Sequence, residues 1–453
     1  MTDIVDSVSP ASRLDAKVPA PRVLVITYHA PPDGAIGGRR WAGMSKYLTE
    51  AGWEVDVVTA APQHGAERSR GYAVHVVNAG RTLNDHYNSV VRRIRRPRSG
   101  GAAGSAATEG AKGGRSSLLG RIRHELSAWL AFPDYGRGWI TRAALRARRI
   151  VRAHRPDVVI TSGPPHSVHL VGFLATRGTG VPHVVDMRDP WVACATNEQK
   201  EWLTSSMLRR LTLPRLERHV LRHAAGITTT PPELAEALGG QQGRPPVACV
   251  PNAFDETDAP SAPGPRFPGL SLAYVGTLYF GRDLGPVLSA FSAFLQRNPS
   301  AAEAGSKLRV AGHVGGEHLA RFRSQLARSG LEAHVELMGV VERSTALELL
   351  ARSTVAVVLA QDQKYQIPAK LYESVGMGIP TVVVTEPDSA SAREARRIGA
   401  VPISPEDPES LCRFLEDLWS GRCPDRREPL VPVDYRSVAE QMGALLLRLS
   451  GRA

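Results

Sequence analysis

Short Val- and Ile-rich runs recur along this chain with helix-patterned segments between them, and this alternation constrains the fold most. Strands buried on both faces read as continuous apolar runs, and strand–helix alternation packs as a parallel sheet covered by helices. A first series predicts strands at Val23–Thr27, Val55–Ala60, Ala73–Val77, Val158–Thr161, His183–Asp186, Gly226–Thr230 and Val247–Asn252. A second predicts them at Leu270–Gly276, Leu308–Gly312, Val335–Val340, Val355–Ala360, Thr381–Thr385 and Ala400–Ile403. Between the series lies 255–268 (DETDAPSAPGPRFP), Pro-rich and poor in large apolar residues, which reads as a linker. The expected organisation is a disordered leader at 1–20, a first Rossmann-like unit at 21–254 and a second at 269–430. A C-terminal helix occupies 431–453. The fold class is α/β, two doubly wound parallel sheets facing a cleft.

Helices are expected from about Arg39 to Ala51, at Leu118–Phe132, Trp139–His154, Leu284–Arg297, Thr345–Arg352, Ala369–Val375, Glu409–Trp419 and Val438–Leu449. Length fits, since 453 residues hold two large α/β units with ease. The 42 Gly and 34 Pro fall short of a low-complexity share. Four cysteines (Cys194, Cys249, Cys412 and Cys423) show no metal-ligand spacing and are too few for a disulfide scaffold, so reducing cytosol is expected. Asp3, Asp6 and Asp15 argue against a secretory signal. No apolar run reaches the roughly 18–20 residues of a membrane span, which leaves peripheral binding as the membrane role.

Charge supports that role. Between Arg81 and Arg155 there are 17 Lys/Arg and 4 Asp/Glu, so the whole net charge of +12 resides there. A coding bias toward Arg, 49 against 7 Lys, does not explain the clustering. Such a stripe favours phosphate-rich surfaces, here the anionic inner face of a membrane. Nucleic acid is disfavoured, because the basic run Val91–Arg98 lacks interleaved aromatics and adjoins a Gly/Ala/Ser-rich stretch expected to be flexible. The insert 91–132 ends in an apolar, basic segment with Trp129, which suits an interfacial helix or one that covers the domain.

Ligands of open α/β sheets bind beyond the strand C-termini. There, the loop Tyr28–Gly38 ends in Gly37 and Gly38, which let backbone amides approach an anion or sugar at the start of the first helix. Ser162–Ser167 (SGPPHS) offers Ser162 and His166 to a sugar hydroxyl. Asp186–Trp191 (DMRDPW) offers Arg188 and Asp189, or else an internal ion pair that fixes the loop. In the second unit, Gly276 and Gly312 end strands, and Arg282 suits a diphosphate clamp. In Gln366–Pro380 (QIPAKLYESVGMGIP), Pro368 suits the first helical position, Lys370 adds charge beside free amides, and Glu373 lies one turn farther, where a carboxylate can accept both hydroxyls of a ribose.

Together, and in this order, SGPPHS, VDMRDPW, VPNAFD, YVGTLYFGRD, LMGVV and IPAKLYESVGMGIPTVV resemble the GT-B glycosyltransferases of family four. The closest likeness is to the bacterial surface-polysaccharide branch with N-acetylfucosamine-transferase-like enzymes. The resemblance implies a retaining transferase moving a hexosyl or N-acetylhexosaminyl group. Its donor, a nucleotide-diphosphate sugar, sits in the second unit. Its acceptor sits in the first, and the basic stretch adds the expectation of a lipid-linked glycan. The resemblance implies Arg282 at the leaving diphosphate, Glu373 at the ribose and backbone contacts from Val340 to the base; the residues themselves add Lys370 at the diphosphate and Asp189 with His166 at the acceptor hydroxyl. Gly37, Gly38, Gly276, Gly312 and Pro368 complete the donor site, while Ser162, His166 and Arg188 serve the acceptor. No cofactor or metal is expected. Two positions depart from the family: Tyr365 replaces its first motif glutamate, and Thr277 its first phosphate-binding Arg. A nucleotide-sugar epimerase or hydrolase on the same scaffold, or a non-catalytic nucleotide-sugar-binding protein, are the alternatives.

Overall fold

The computed structural model describes residues 19–30, 36–60, 71–79, 125–130, 132–195, 197–240, 243–278, 281–424, 426 and 428–452. Expectations for the leader 1–18 and for most of the basic insert fall outside these residues. Within the insert, 125–130 are helical.

Thirteen strands form among the described residues, and each predicted run contributes one. The first sheet holds β1 (Arg22–Thr27), β2 (Glu54–Thr59), β3 (Ala73–Val76), β4 (Val158–Gly163), β5 (His183–Met187), β6 (Gly226–Thr229) and β7 (Val247–Cys249), in the order 3-2-1-4-5-6-7. The second holds β8 (Ser271–Val275), β9 (Lys307–Ala311), β10 (Val335–Gly339), β11 (Val355–Leu359), β12 (Thr381–Val384) and β13 (Val401–Ile403), in the order 10-9-8-11-12-13. All pairings are parallel. Strand order reverses between β1 and β4 and again between β8 and β11, and each reversal opens a crevice at the strand C-termini.

Helix α1 (Ile36–Glu50) starts three residues before the predicted boundary, so Gly37 and Gly38 belong to its first turn rather than to a loop. Trp41, Met44 and Leu48 line one face of α1 at helical spacing and pack against Tyr435, Val438, Ala439, Met442 and Leu446. Those partners lie on the last helix, α6 (Tyr435–Ser450), so the C-terminus returns to the core of the first unit. The two passages between units run side by side: Phe254 N–H donates to the Val433 carbonyl at 2.8 Å, and Tyr435 N–H to the Phe254 carbonyl at 3.0 Å. Of the intervening helices, α2 (Arg137–His154) matches its amphipathic pattern, while α3 (Met207–Arg222) escapes sequence periodicity because it carries Pro214 internally.

One buried charge pair fixes the base of the first crevice. Arg40 and Asp186 are both fully buried, with Nε and Nη2 of Arg40 each 3.2 Å from a carboxylate oxygen. Trp41 Nε1, Ser162 Oγ and Thr228 Oγ1 also donate to Asp186, at 3.1, 2.7 and 2.8 Å. Arg40 donates further to the carbonyls of Val250 and Pro251 and to Asn252 Oδ1. This network ties α1 to β4, β5, β6 and the segment 250–252 that follows β7.

Candidate active site

The two crevices face one another across a cleft of about 650 Å³. Its first-unit wall carries His29 after β1, Pro164 after β4, Arg188 and Asp189 after β5, and Tyr135. Its second-unit wall carries Gly276, Thr277 and Arg282 after β8, Gly312 and His313 after β9, and Val340 and Arg343 after β10. Lys370 and Glu373 come from α5 (Ala369–Gly376), and Arg39 from the first turn of α1.

The glycines on the second wall are dictated by space. Gly312 has φ +145°, and a Cβ there would sit 1.9 Å from the Gly276 carbonyl oxygen. The β8 and β9 exits therefore meet backbone to backbone, with the Gly276 amide donating to the Ala311 carbonyl at 2.8 Å and the Gly312 amide to the Gly339 carbonyl at 2.7 Å. Pro368 is the cap residue of α5, one position earlier than expected, with Ala369 the first helical residue. Val340 is 76 % exposed at the cleft edge, open to a planar ring.

Glu373 is buried and not alone. Its Oε1 accepts from Arg39 Nη1 at 2.9 Å and from Arg343 Nη1 at 3.0 Å, and Arg343 Nη2 also reaches Asp258 at 2.7 Å. Burial on its own would raise the Glu373 pKa, but Lys370, Arg343 and Arg39 outweigh it and hold the carboxyl below its usual range. Burial is the main cause that lowers Lys370, with Glu373 opposing and the neighbouring guanidiniums adding to it. Sequence reasoning missed Arg39 and Arg343. The one signal for Arg39 is its place directly after Gly37 and Gly38. A second bridge across the cleft joins Gln366 Nε2 to Asp189 Oδ1 at 2.9 Å.

Three expected ligands stand elsewhere. Ser162 is fully buried, with its hydroxyl committed to Asp186, so it supports the crevice floor and does not face a substrate. His166 is buried and stacked on Trp191, with Nε2 3.2 Å from the Pro190 carbonyl. Burial drives its pKa down to about 3, so the ring is neutral, and it does not line the cleft. Gly38 is buried, and a Cβ on it would lie 3.0–3.1 Å from the Ala30 backbone; it serves a close chain crossing and does not line the cleft. Asp186, raised as half of a possible ion pair in DMRDPW, pairs with Arg40 and not with Arg188. Tyr365 reaches back to the first unit, packed against the cluster that contains Trp191.

Among the described residues no group of three or more His, Cys, Asp or Glu is placed to hold a metal ion, and no helix is long and apolar enough to cross a membrane. Residues 37–253 match the family model for a glycosyl transferase 4-like domain. Sucrose-phosphate synthase from Thermosynechococcus elongatus superposes with a TM-score of 0.59 at 13 % identity, over 96 % of this chain and 100 % of that one. The HepE protein of Anabaena, solved with UDP and glucose, gives 0.53 at 12 %, over 95 % and 97 %. An Escherichia coli trehalose-6-phosphate protein bound to UDP-2-fluoro glucose gives 0.54 at 13 %, over 94 % and 96 %. The fold is GT-B. No curated protein matches the chain in sequence. The domain match over 37–253 supports glycosyl transfer as the chemistry of this chain.

Proposed function

We propose that the chain is a retaining glycosyltransferase that moves a hexosyl or N-acetylhexosaminyl group from a nucleoside-diphosphate donor to an acceptor hydroxyl. The observation that carries this reading is the cationic second-unit wall. Arg282, Lys370 and the first amides of α5 gather beside the Gly276–Gly312 backbone contact, with a first-unit wall opposite. Leaving-group charge grows as the sugar–phosphate bond breaks, so preorganised cations there lower the barrier. Glu373 is the ribose ligand in this reading, and donor binding exchanges its Arg39 contact for hydroxyls. Asp189 faces the acceptor.

The test is thermal stabilisation by UDP, GDP, dTDP and ADP sugars, with wild type beside Glu373→Ala and Arg282→Ala. One base family is expected to stabilise the wild type, to leave Glu373→Ala unchanged and to stabilise Arg282→Ala in part. No stabilisation by any nucleotide defeats the reading and favours a non-catalytic protein.

We place the acceptor among lipid-linked glycans of cell-surface polysaccharide or glycoconjugate assembly, met at the inner face of a membrane. An exposed apolar patch supports this. Leu126 and Trp129 (50 % and 52 % exposed) adjoin Met207 and Leu211 (63 % and 42 %), because Glu125 caps α3 through the amide of Met207 at 2.8 Å. Trp129 stacks on Arg137, and Arg209 on the exposed Trp202. Aromatic and basic groups in one patch suit a lipid headgroup layer, where each cation contributes about 1 kcal/mol. Flotation with phosphatidylglycerol vesicles is expected to fall as salt rises and to fall again in Trp129→Ser. Salt-independent flotation, or none, removes the membrane assignment.

A further inference from the structure

Among the described residues, five cations line the cleft: Arg39, Arg188, Arg282, Arg343 and Lys370. Arg39 and Arg343 hold Glu373. Arg282 and Lys370 belong to the donor wall. Arg188 has no such task. It follows β5 on the first-unit wall and is 8 % exposed. Its side chain makes one hydrogen bond among the described residues, from Nη2 to the Pro164 carbonyl at 3.2 Å, and its Nε meets no acceptor. The charges of Asp186 and Asp189 favour the guanidinium from nearby, but neither carboxylate forms an ion pair with it: Asp186 is paired with Arg40, and Asp189 Oδ1 accepts from Gln366.

A guanidinium does not shed its charge in a protein. Holding one out of water with a single carbonyl partner is unfavourable unless an anion completes its coordination. An Arg that needed only to pack would be replaced without penalty by an apolar residue. Here the cation lines a substrate cleft, and its fork of donors matches paired oxygens. The neighbouring groups, the Tyr135 hydroxyl 3.1 Å from His29 Nε2 and the Asp189 carboxylate, suit sugar hydroxyls.

We propose that Arg188 binds an acidic group of the glycan substrate, a phosphate or a carboxylate, on the wall opposite the donor diphosphate. The inference rests on the glycosyl-transfer reading and narrows its substrate to an anionic glycan. The acid belongs either to the acceptor or to the transferred sugar, and the same chemistry recognises both.

Calorimetric titration of the full chain separates these sources. With the stabilising nucleoside diphosphate at saturation, glucose 6-phosphate is compared with glucose, glucuronate with glucose, and farnesyl diphosphate with farnesol. Without it, UDP-glucuronate is compared with UDP-glucose. Wild type is expected to prefer the acidic member of at least one pair by about tenfold, a typical margin for a charge-assisted pair. R188Q is expected to remove that preference while nucleotide stabilisation persists. A preference in the first three pairs assigns the acid to the acceptor, and in the last to the transferred sugar. If R188Q melts early, R188M keeps the buried volume without the cation and carries the same comparison. No preference in any pair, or one that survives loss of the cation, overturns the inference. Failure of every nucleotide to bind is a separate result that overturns glycosyl transfer itself.

Discussion

Arg40→Met is expected to destabilise the folded chain by about 3–5 kcal/mol in urea denaturation at neutral pH. The substitution keeps much of the buried volume but strands the Asp186 carboxylate in a fully buried site. It also removes the donor to the Val250 and Pro251 carbonyls, so the segment after β7 loosens from α1. The effect has a pH signature. In the wild type, burial would raise Asp186, yet Arg40 and the Ser162 and Thr228 hydroxyls outweigh it and hold the folded pKa below the ordinary value. That pair therefore adds stability above roughly pH 4, which is lost as pH falls through the folded value. Without Arg40 the sign reverses, since only burial remains dominant and the neutral acid is the preferred form. The gap between variant and wild type should therefore narrow on acidification. A gap that stays constant with pH would show that Arg40 contributes packing alone.

The network explains which parts of the site were legible in the sequence. Strands declared themselves because both faces of each sheet are covered, which forces Val/Ile runs such as Val23–Ile26 and Val382–Val384. The exits of those strands marked the cleft, so Arg188, Asp189, Gly276, Gly312, Arg282, Val340, Lys370 and Glu373 all line it. What lies along one strand exit was less legible, because alternate residues point to opposite sides. Ser162 and Asp186 look like ligands by position, yet each turns into the floor toward Arg40. The partners of Glu373 were invisible for another reason. Arg39 is 334 residues away in the chain, and in a sequence with 49 arginines no local pattern singles it out. The return of α6 to the first unit is likewise a packing fact, written only in the match between its apolar face and that of α1.

Lys370→Met and Arg282→Ala are each expected to lower kcat by about 10²–10³, with a smaller change in donor KM, as for loss of one preorganised group that meets charge formed in the transition state. Both side chains line the second-unit wall, and Lys370 Cε passes 3.7 Å from where a Cβ on Gly276 would stand. Thr277 brings no charge at the position where the resemblance implies an arginine, so in the proposed reading these two cations are expected to carry more of the leaving-group stabilisation. The pH profile separates charge from shape. Burial holds the Lys370 ammonium below the ordinary lysine value. As pH rises, kcat/KM should therefore decline below pH 10.5, because the free enzyme loses this proton early. Lys370→Arg keeps a charge that does not titrate there, so its alkaline limb should vanish even where its rate is low. An alkaline limb unchanged in Lys370→Arg assigns that titration to another group, and a Lys370→Met enzyme with near-normal kcat moves leaving-group stabilisation away from α5. Loss of rate in both variants, with the limb lost in Lys370→Arg, places the ammonium at the departing phosphate.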